Sequence, residues 1–429
     1  NKRFDLSTGP LLSIKLLKIE EREYVLLITM HHIISDGWSM SVLFKELNSL
    51  YDSYSKGEVN KLVPLNVQYS DYSIWQRSWL QGEVLNKQLE YWKKQLEGIP
   101  DLINLPTDKI RPKELSYKGS FYIHNLSREI SNQLRLITDK EGVSLFMVLL
   151  SIFKILLYKY SGEENIVVGS PIANRHYKET EELIGFFVNT LVFKSNIKGE
   201  RTFKELLQQV KETTLSGYEH QDVPFEQLVD YLNVERVLNR NPVFQIMFAL
   251  QNVREEKIRL GEIQVESIIG EYNISKFDLF LAAYEDEDEI SLSFEYSTDL
   301  FEEETIKRMA RHYEKIAEEI TYSINKEIRT IEVLSGLERI QIVEEWNDTE
   351  KEYPKDKCIH ELFEEQVRLN PERIAVVYEN SQITYEELNK RSNQLACYLR
   401  TLTVTNSKLV ALILDRNIDF LISMLAIFK

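Results

Sequence analysis

Seven residues, Tyr24 to Met30 (YVLLITM), run straight into HHIISDGWS (His31 to Ser39), and beyond Ser39 apolar side chains recur at Leu43, Leu47, Leu50 and Tyr54. The first run is rich in β-formers and has the length of a buried strand, whereas the last has the spacing of an amphipathic helix with Ser39 as its N-cap. A strand that stops at a polar loop and resumes as a helix belongs to an α/β fold. The loop between them brings two imidazoles, a carboxylate and a glycine to one strand end.

The same order returns along the chain. Leu85, Leu89, Trp92 and Leu96 mark a helix that Gly98 and Pro100 end. Residues 105–119 (LPTDKIRPKELSYKG) carry two prolines and no period, which predicts a connection between two lobes, 1–110 and 111–330. A helix over about 144–160, stopped by Gly162, precedes a strand at Ile166 to Gly169. Phe277 to Tyr284 and Ile290 to Tyr296 flank the acidic turn Glu285 to Asp288 as a hairpin, and Glu303 to about Ile324 reads as a closing helix. Residues 331–357 are charged and weakly periodic, which predicts a linker, and a fresh α/β unit occupies 358–429.

At 429 residues the chain is long enough for about three domains of ~150 residues. Its 52 Lys and Arg against 68 Asp and Glu give a net charge of −16, a field that opposes nucleic acid as a partner. Two cysteines, Cys358 and Cys397, are too few and too distant for a disulfide framework or a thiolate metal site, so a reducing, cytoplasmic location is expected. The most apolar stretch, Leu145 to Tyr160, is broken by Lys154 and Lys159 and is shorter than the ~20 residues that cross a bilayer; no membrane association is expected. The chain opens at Asn1 with no leader and closes inside the apolar segment Phe420 to Lys429, so both ends are expected to be cut from a longer chain.

Imidazole is the side chain best matched to proton transfer near neutral pH. On a continuing strand His31 and His32 point to opposite faces, so only one can face a pocket and the other is structural. Asp36 can lock the loop or orient a ring, and Gly37 permits a positive φ and close approach of a backbone N–H to a ligand. A His-His pair is more often packed or solvated than catalytic, and a metal on His31, His32 and Asp36 would lack the i, i+4 geometry of a helical zinc site. The motif alone leaves these readings open. IGFFVNTLV (184–192), HQDVPFEQL (220–228) and RVLNRNPVFQIMF (236–248) set polar residues inside apolar runs. Taken singly each reads as turn chemistry, with Asn189 and Asn241 bonding nearby backbone; His220 could be a second catalytic histidine, but it sits at what looks like a helix start. No GxxxxGKS, GxSxG or HExxH occurs, so a P-loop ATPase or a Ser hydrolase has no support.

Six segments in order, HHIISDGWS (31–39), YSDYSIWQ (69–76), VGSPIANR (168–175), IGFFVNTLV (184–192), HQDVPFE (220–226) and RNPVFQIMF (240–248), resemble the condensation domain of nonribosomal peptide synthetases over residues 1 to about 330. ITYEELN (383–389) resembles the first core signature of the amino-acid adenylation domain. The resemblance implies an α/β fold of two chloramphenicol-acetyltransferase-like lobes in a V, the first incomplete, followed by the truncated start of an adenylation domain. It implies peptide-bond formation within a multidomain synthetase of secondary metabolism, such as those making peptide antibiotics: the amine of an acceptor aminoacyl-carrier attacks the thioester of a donor peptidyl- or aminoacyl-carrier. HHIISDGWS with NRNPVF resembles the subtype that joins an L donor to an L acceptor.

By that resemblance His32 positions or deprotonates the amine and the Gly37 N–H helps hold the oxyanion. His31, Asp36 and Trp38 would support the loop, and Ser39, Asn189, Arg240 and Asn241 are substrate-tunnel candidates. Substrates would arrive on phosphopantetheine arms of upstream donor and downstream acceptor peptidyl-carrier domains. No covalently held cofactor, no metal and no ATP binding are expected, since neither a GGxSL-type attachment signature nor the glycine-rich nucleotide loop is present. The resemblance also implies that the early strands of the first lobe, and the arginine expected to pair with Asp36, lie upstream of Asn1. Two other readings compete: a His-dependent acyltransferase of the same fold that uses free coenzyme A thioesters, and a noncatalytic carrier-docking platform. The adenylation-like tail argues against the first, and the intact HHxxxDG against the second.

Overall fold

The computed structural model describes residues 4–251, 258–268, 273–286, 289–402 and 409–429, and the chain divides into two units, 1–339 and 340–429. The first opens with a hairpin in which β1 (Leu12–Lys18) pairs antiparallel with β2 (Tyr24–Met30), Leu12 opposite Met30. YVLLITM is therefore a strand, as its β-formers predict, but it is not a buried one. Two strands cover neither face of a sheet, and Leu16, Leu17, Leu26 and Leu27 remain exposed. A 3-10 turn at His32–Ile34 ends the hairpin, and α1 (Gly37–Ser55) follows, then α2 (Tyr69–Trp79) and α3 (Gly82–Gln95). The cap of α1 is Asp36, not Ser39: the Asp36 carboxylate accepts the Ser39 N–H, so the helix starts three residues before the expected place.

Residues 105–118 form no regular element. Beyond them lie β3 (Gly119–Leu126), α4 (Arg128–Glu141), α5 (Leu145–Ser161), β4 (Asn165–Ile172), β5 (Asn189–Asn196), α6 (Phe203–Glu219), α7 (Phe225–Leu232), β6 (Ile246–Gln251), β7 (Leu279–Glu285), β8 (Ile290–Ser297) and α8 (Glu303–Tyr322). The six strands form one mixed sheet in the order β3-β8-β7-β6-β4-β5, with β4–β6 and β6–β7 parallel and the remaining neighbours antiparallel. The tip of the predicted acidic hairpin turn, residues 287–288, lies outside the described residues.

Helix α5 explains why the most apolar stretch stays within the protein. Ser144 caps its start, Gly162 ends it at φ 70, and every residue from Met147 to Leu157 is buried against α4, α6, α8 and the sheet. Among the described residues no single helix is long and apolar enough to cross a bilayer. The helix also buries Lys154 completely, with Nζ donating to Ser195 Oγ at 2.7 Å, and burial pulls the amine's pKa down to about 7.

The expected linker is partly ordered: α9 (Gly336–Ile340) runs into a π-turn at Gln341–Glu345. The second unit holds α10 (Ile359–Leu369), the hairpin of β9 (Ile374–Tyr378) and β10 (Ser381–Thr384), α11 (Tyr385–Thr401) and α12 (Ile418–Phe428) around a small core of Ile383, Leu388 and Ile422.

Candidate functional site

Two loops make the site. One is the turn between β2 and α1; the other is the long connection from β4 to β5, which starts beside a paired strand end, Ile172 opposite Asn189, and supplies residues 173–188. One 3-10 turn, Lys178–Thr180, is the regular element within it.

The extended backbone of β2 stops at Met30, so the alternation argument for the two histidines no longer applies and the turn sets their roles. His31 caps the turn, its Nδ1 accepting the Ile33 N–H at 3.1 Å. His32 is exposed, and its Nδ1 lies 2.5 Å from the Ser35 carbonyl. A carbonyl oxygen only accepts, so Nδ1 carries a hydrogen, and in the neutral ring the lone pair is on Nε2. The turn thereby presents one imidazole in the tautomer that can take a proton from an amine.

Asp36 anchors the loop from beneath. It is 5% exposed, and its Oδ1 accepts the Ser39 N–H at 2.8 Å, the Ser39 hydroxyl at 2.7 Å and Arg175 Nη2 at 3.1 Å, while Oδ2 accepts the Phe187 N–H at 3.0 Å. Arg175 is equally buried. Its Nη1 donates to the Thr180 and Leu183 carbonyls at 2.5 and 2.7 Å, its Nη2 also reaches Ser39 Oγ at 2.9 Å, and its guanidinium lies 4.1 Å from the centre of the Phe187 ring. Burial lowers the arginine's pKa from its ordinary value, and the charge of Asp36 opposes that shift. The expectation that this carboxylate's arginine lies upstream of Asn1 is therefore corrected: the partner is Arg175, from the segment VGSPIANR.

Ser39 is fully buried. Its hydroxyl lies 2.9 Å from the Gly185 carbonyl and accepts the Gly185 N–H at 3.1 Å, so it ties the two loops together and leaves no surface for a tunnel. Trp38 Nε1 donates to the Glu181 carbonyl at 2.9 Å. Gly37 is the first residue of α1 and is exposed; it does not use a positive φ, and a Cβ built there would meet nothing within 4 Å. It leaves open space at its Cβ position and carries a first-turn N–H that has no intrahelical acceptor, at the positive end of a helix dipole.

Two of the other tunnel candidates make scaffold bonds. Asn189 Nδ2 donates to the Gln221 and Val223 carbonyls, both at 2.8 Å, and its Oδ1 accepts the Phe225 N–H at 3.0 Å, which pins HQDVPFE to the start of β5. Asn241 Nδ2 donates to the Lys276 carbonyl at 2.7 Å, and Arg240 beside it is half-buried. His220 caps the C-terminus of α6, stacked on Tyr91 with ring centres 3.9 Å apart. Among the described residues no group of three or more His, Cys, Asp or Glu side chains could hold a metal ion.

Arg175, Phe186, Phe187 and Tyr69 all belong to segments that the sequence singles out, yet nothing in the sequence alone assigns them a role. The signal for Arg175 is a charged residue three positions past an apolar strand end, a place that only the fold turns inward.

Comparison with known proteins matches both parts of the chain. A family described as Condensation domain matches residues 1–343, and one described as AMP-binding enzyme matches residues 363–429. One of the linear gramicidin synthase proteins of Brevibacillus parabrevis is 45% identical over 99% of this chain, and Gramicidin S synthase 2 of Brevibacillus brevis is 40% identical over 99%. The chain spans 8% and 10% of those two proteins. Among solved structures, the X-domain from teicoplanin biosynthesis superimposes with a TM-score of 0.72 at 25% identity, covering 78% of this chain and 77% of that one. A four-domain nonribosomal peptide synthetase bound to AMP and glycine gives 0.73 at 24% identity, covering 94% of this chain and 31% of that one, a likeness of fold.

Proposed function

Because the chain belongs to the condensation-domain family, continued by the start of an AMP-binding domain, we propose that it forms amide bonds in nonribosomal peptide synthesis, between a donor acyl thioester and an acceptor amine, each tethered to a carrier domain through phosphopantetheine. The observation that carries this reading is the hold on an exposed His32: its Nδ1 lies 2.5 Å from the Ser35 carbonyl, which in the neutral ring leaves the lone pair on Nε2.

In the proposed step the acceptor nitrogen attacks the thioester carbonyl, and a tetrahedral oxyanion forms near the Gly37 N–H at the start of α1. His32 Nε2 holds the amine and accepts its proton. The C–S bond then breaks, and the proton passes to the departing donor thiolate. Two tethered reactants held together supply much of the acceleration through proximity. The intact HHxxxDG and NRNPVF segments support an L donor and an L acceptor. The adjoining unit would be the adenylation domain, the two peptidyl-carrier domains its upstream and downstream partners, and the cytoplasm the place of reaction.

The test is a two-carrier assay on the intact synthetase module, with donor and acceptor loaded on separate carriers and the amide product followed by mass spectrometry. Amide formation that needs both carriers and His32 supports the reading. Equal turnover with free coenzyme A thioesters would favour the general acyltransferase, and no turnover with either would favour a docking platform.

A further inference from the structure

The β4–β5 connection is fastened to the histidine loop one residue at a time, and the pattern leaves one side chain unaccounted for. The Gly185 N–H is held by Ser39 Oγ, and the Phe187 N–H is held by Asp36. Both residues are buried, and a Cβ on Gly185 would collide with the Tyr69 ring at 2.2 Å. Phe186 between them is turned outward and 39% exposed. Its carbonyl accepts the Tyr69 hydroxyl at 2.9 Å, so its backbone is fixed as well, and Tyr69 is in turn packed edge-on against Phe187 at 5.0 Å. The Phe186 ring stands at 85° to the His32 imidazole with centres 5.3 Å apart.

We infer that Phe186 is a positioning residue for His32, with Tyr69 holding Phe186 in place. This rests on the reading of His32 given above. One hydrogen bond, Nδ1 to the Ser35 carbonyl, fixes one edge of an exposed imidazole but leaves the ring able to turn about its Cβ–Cγ bond. An aromatic neighbour in a perpendicular arrangement removes that freedom and is favoured by the ring quadrupole. Phe186 therefore keeps Nδ1 on Ser35 and Nε2 toward the reactants. A leucine would fill part of the space without the perpendicular contact, and tyrosine would preserve it.

The experiment compares Phe186→Ala, Phe186→Tyr, Tyr69→Phe and His32→Ala in the intact module, with kcat and KM for acceptor carrier and 15N-histidine NMR for the tautomer of His32, assigned by its loss in His32→Ala. Phe186→Ala is expected to lower kcat ~3- to 10-fold at nearly unchanged KM, the range that one aromatic contact supports. It should also shift the His32 signals toward a mixture of tautomers, with an unchanged melting temperature. Phe186→Tyr should restore both, and Tyr69→Phe should fall between. Parental kcat together with an unchanged His32 tautomer in Phe186→Ala would overturn the inference. Full activity in His32→Ala would instead overturn the reaction assigned to His32, while the NMR comparison would still decide whether Phe186 positions the ring.

Discussion

Arg175 and Asp36 lie 139 positions apart and meet in a buried ion pair, Nη2 to Oδ1 at 3.1 Å, that joins the histidine loop to the β4–β5 connection. Removing either partner leaves the other charge buried and unpaired, which typically costs ~3 to 5 kcal/mol. Arg175→Ala and Asp36→Ala should each lower the unfolding free energy of the intact protein, measured by urea titration, by that order. The double variant should lose clearly less than the two single losses combined, because no unpaired charge remains. Additive losses would mean that the two side chains act independently.

Two glycines in the same two loops should respond in opposite ways. Gly185→Ala drives a Cβ into the Tyr69 ring at 2.2 Å and the Phe187 ring at 2.8 Å, both packed, so it should destabilise by ~1 to 3 kcal/mol and disorder the loop. Gly37→Ala has open space and a helical position, so its melting temperature should stay at or above the parent's. A loss of amide formation in Gly37→Ala at full stability would then report approach to the helix terminus. Equal melting temperatures for the two variants would contradict the packing described.

Lys154 gives a pH signature far from the site. Its folded pKa of about 7 lies below its ordinary 10.5, so between those values the unfolded chain binds a proton that the folded chain does not. Stability from this group rises with pH through that window and is level below it. Lys154→Met keeps the stem and removes the amine, and should be more stable at pH 7. From pH 7 to 9 the parent should gain on the variant by up to ~1.4 kcal/mol per pH unit. A constant difference across that range would show that Lys154 is protonated in the fold.

A second titration lies where α8 meets the segment leading out of the first unit. Tyr160 donates to His312 Nδ1 at 2.7 Å, so His312 Nε2–H donates to Glu338, at 3.2 Å. Burial lowers the His312 pKa below 6.5 and Glu338 opposes it, with Arg308 and Arg311 adding to the lowering. The unfolded chain thus takes up a proton near pH 6.5 before the folded chain does, and stability falls as pH drops below 6.5 through the folded value. Glu338→Gln removes the charge that favours the imidazolium. Thermal unfolding at pH 7, 6 and 5 should show a larger acid loss for that variant than for the parent; a smaller one would reverse the assignment.

Much of this architecture is legible in local pattern. The strand before the histidines, α5 between Ser144 and Gly162, and the β7–β8 pair all follow from periodicity and caps. What the pattern does not contain is the partner of a surface. YVLLITM reads as buried because its residues are apolar, yet burial depends on how many strands lie beside β2. Ser39 and Asp36 are both good caps, and the choice fell to Asp36 because its carboxylate also had Arg175 and the Phe187 N–H to satisfy. Arg175 stands in the sequence only as the last residue of VGSPIANR, since its pairing is made by the long β4–β5 connection folding back. Ser39, read as a tunnel candidate, is fully buried for the same reason.

His32 is proposed to do chemistry on a loop whose stability comes from elsewhere. The most direct measurement is the rate of amide formation between two loaded carriers for the parent and His32→Ala, with unfolding curves on the same preparations. His32→Ala removes an exposed side chain with one bond to the Ser35 carbonyl and one edge contact with Phe186, so its unfolding midpoint should stay close to the parent's while the rate drops by ~10²- to 10⁴-fold, as expected for a lost acid-base group. A variant that keeps the parental rate, or one that loses its fold along with its rate, would contradict the account.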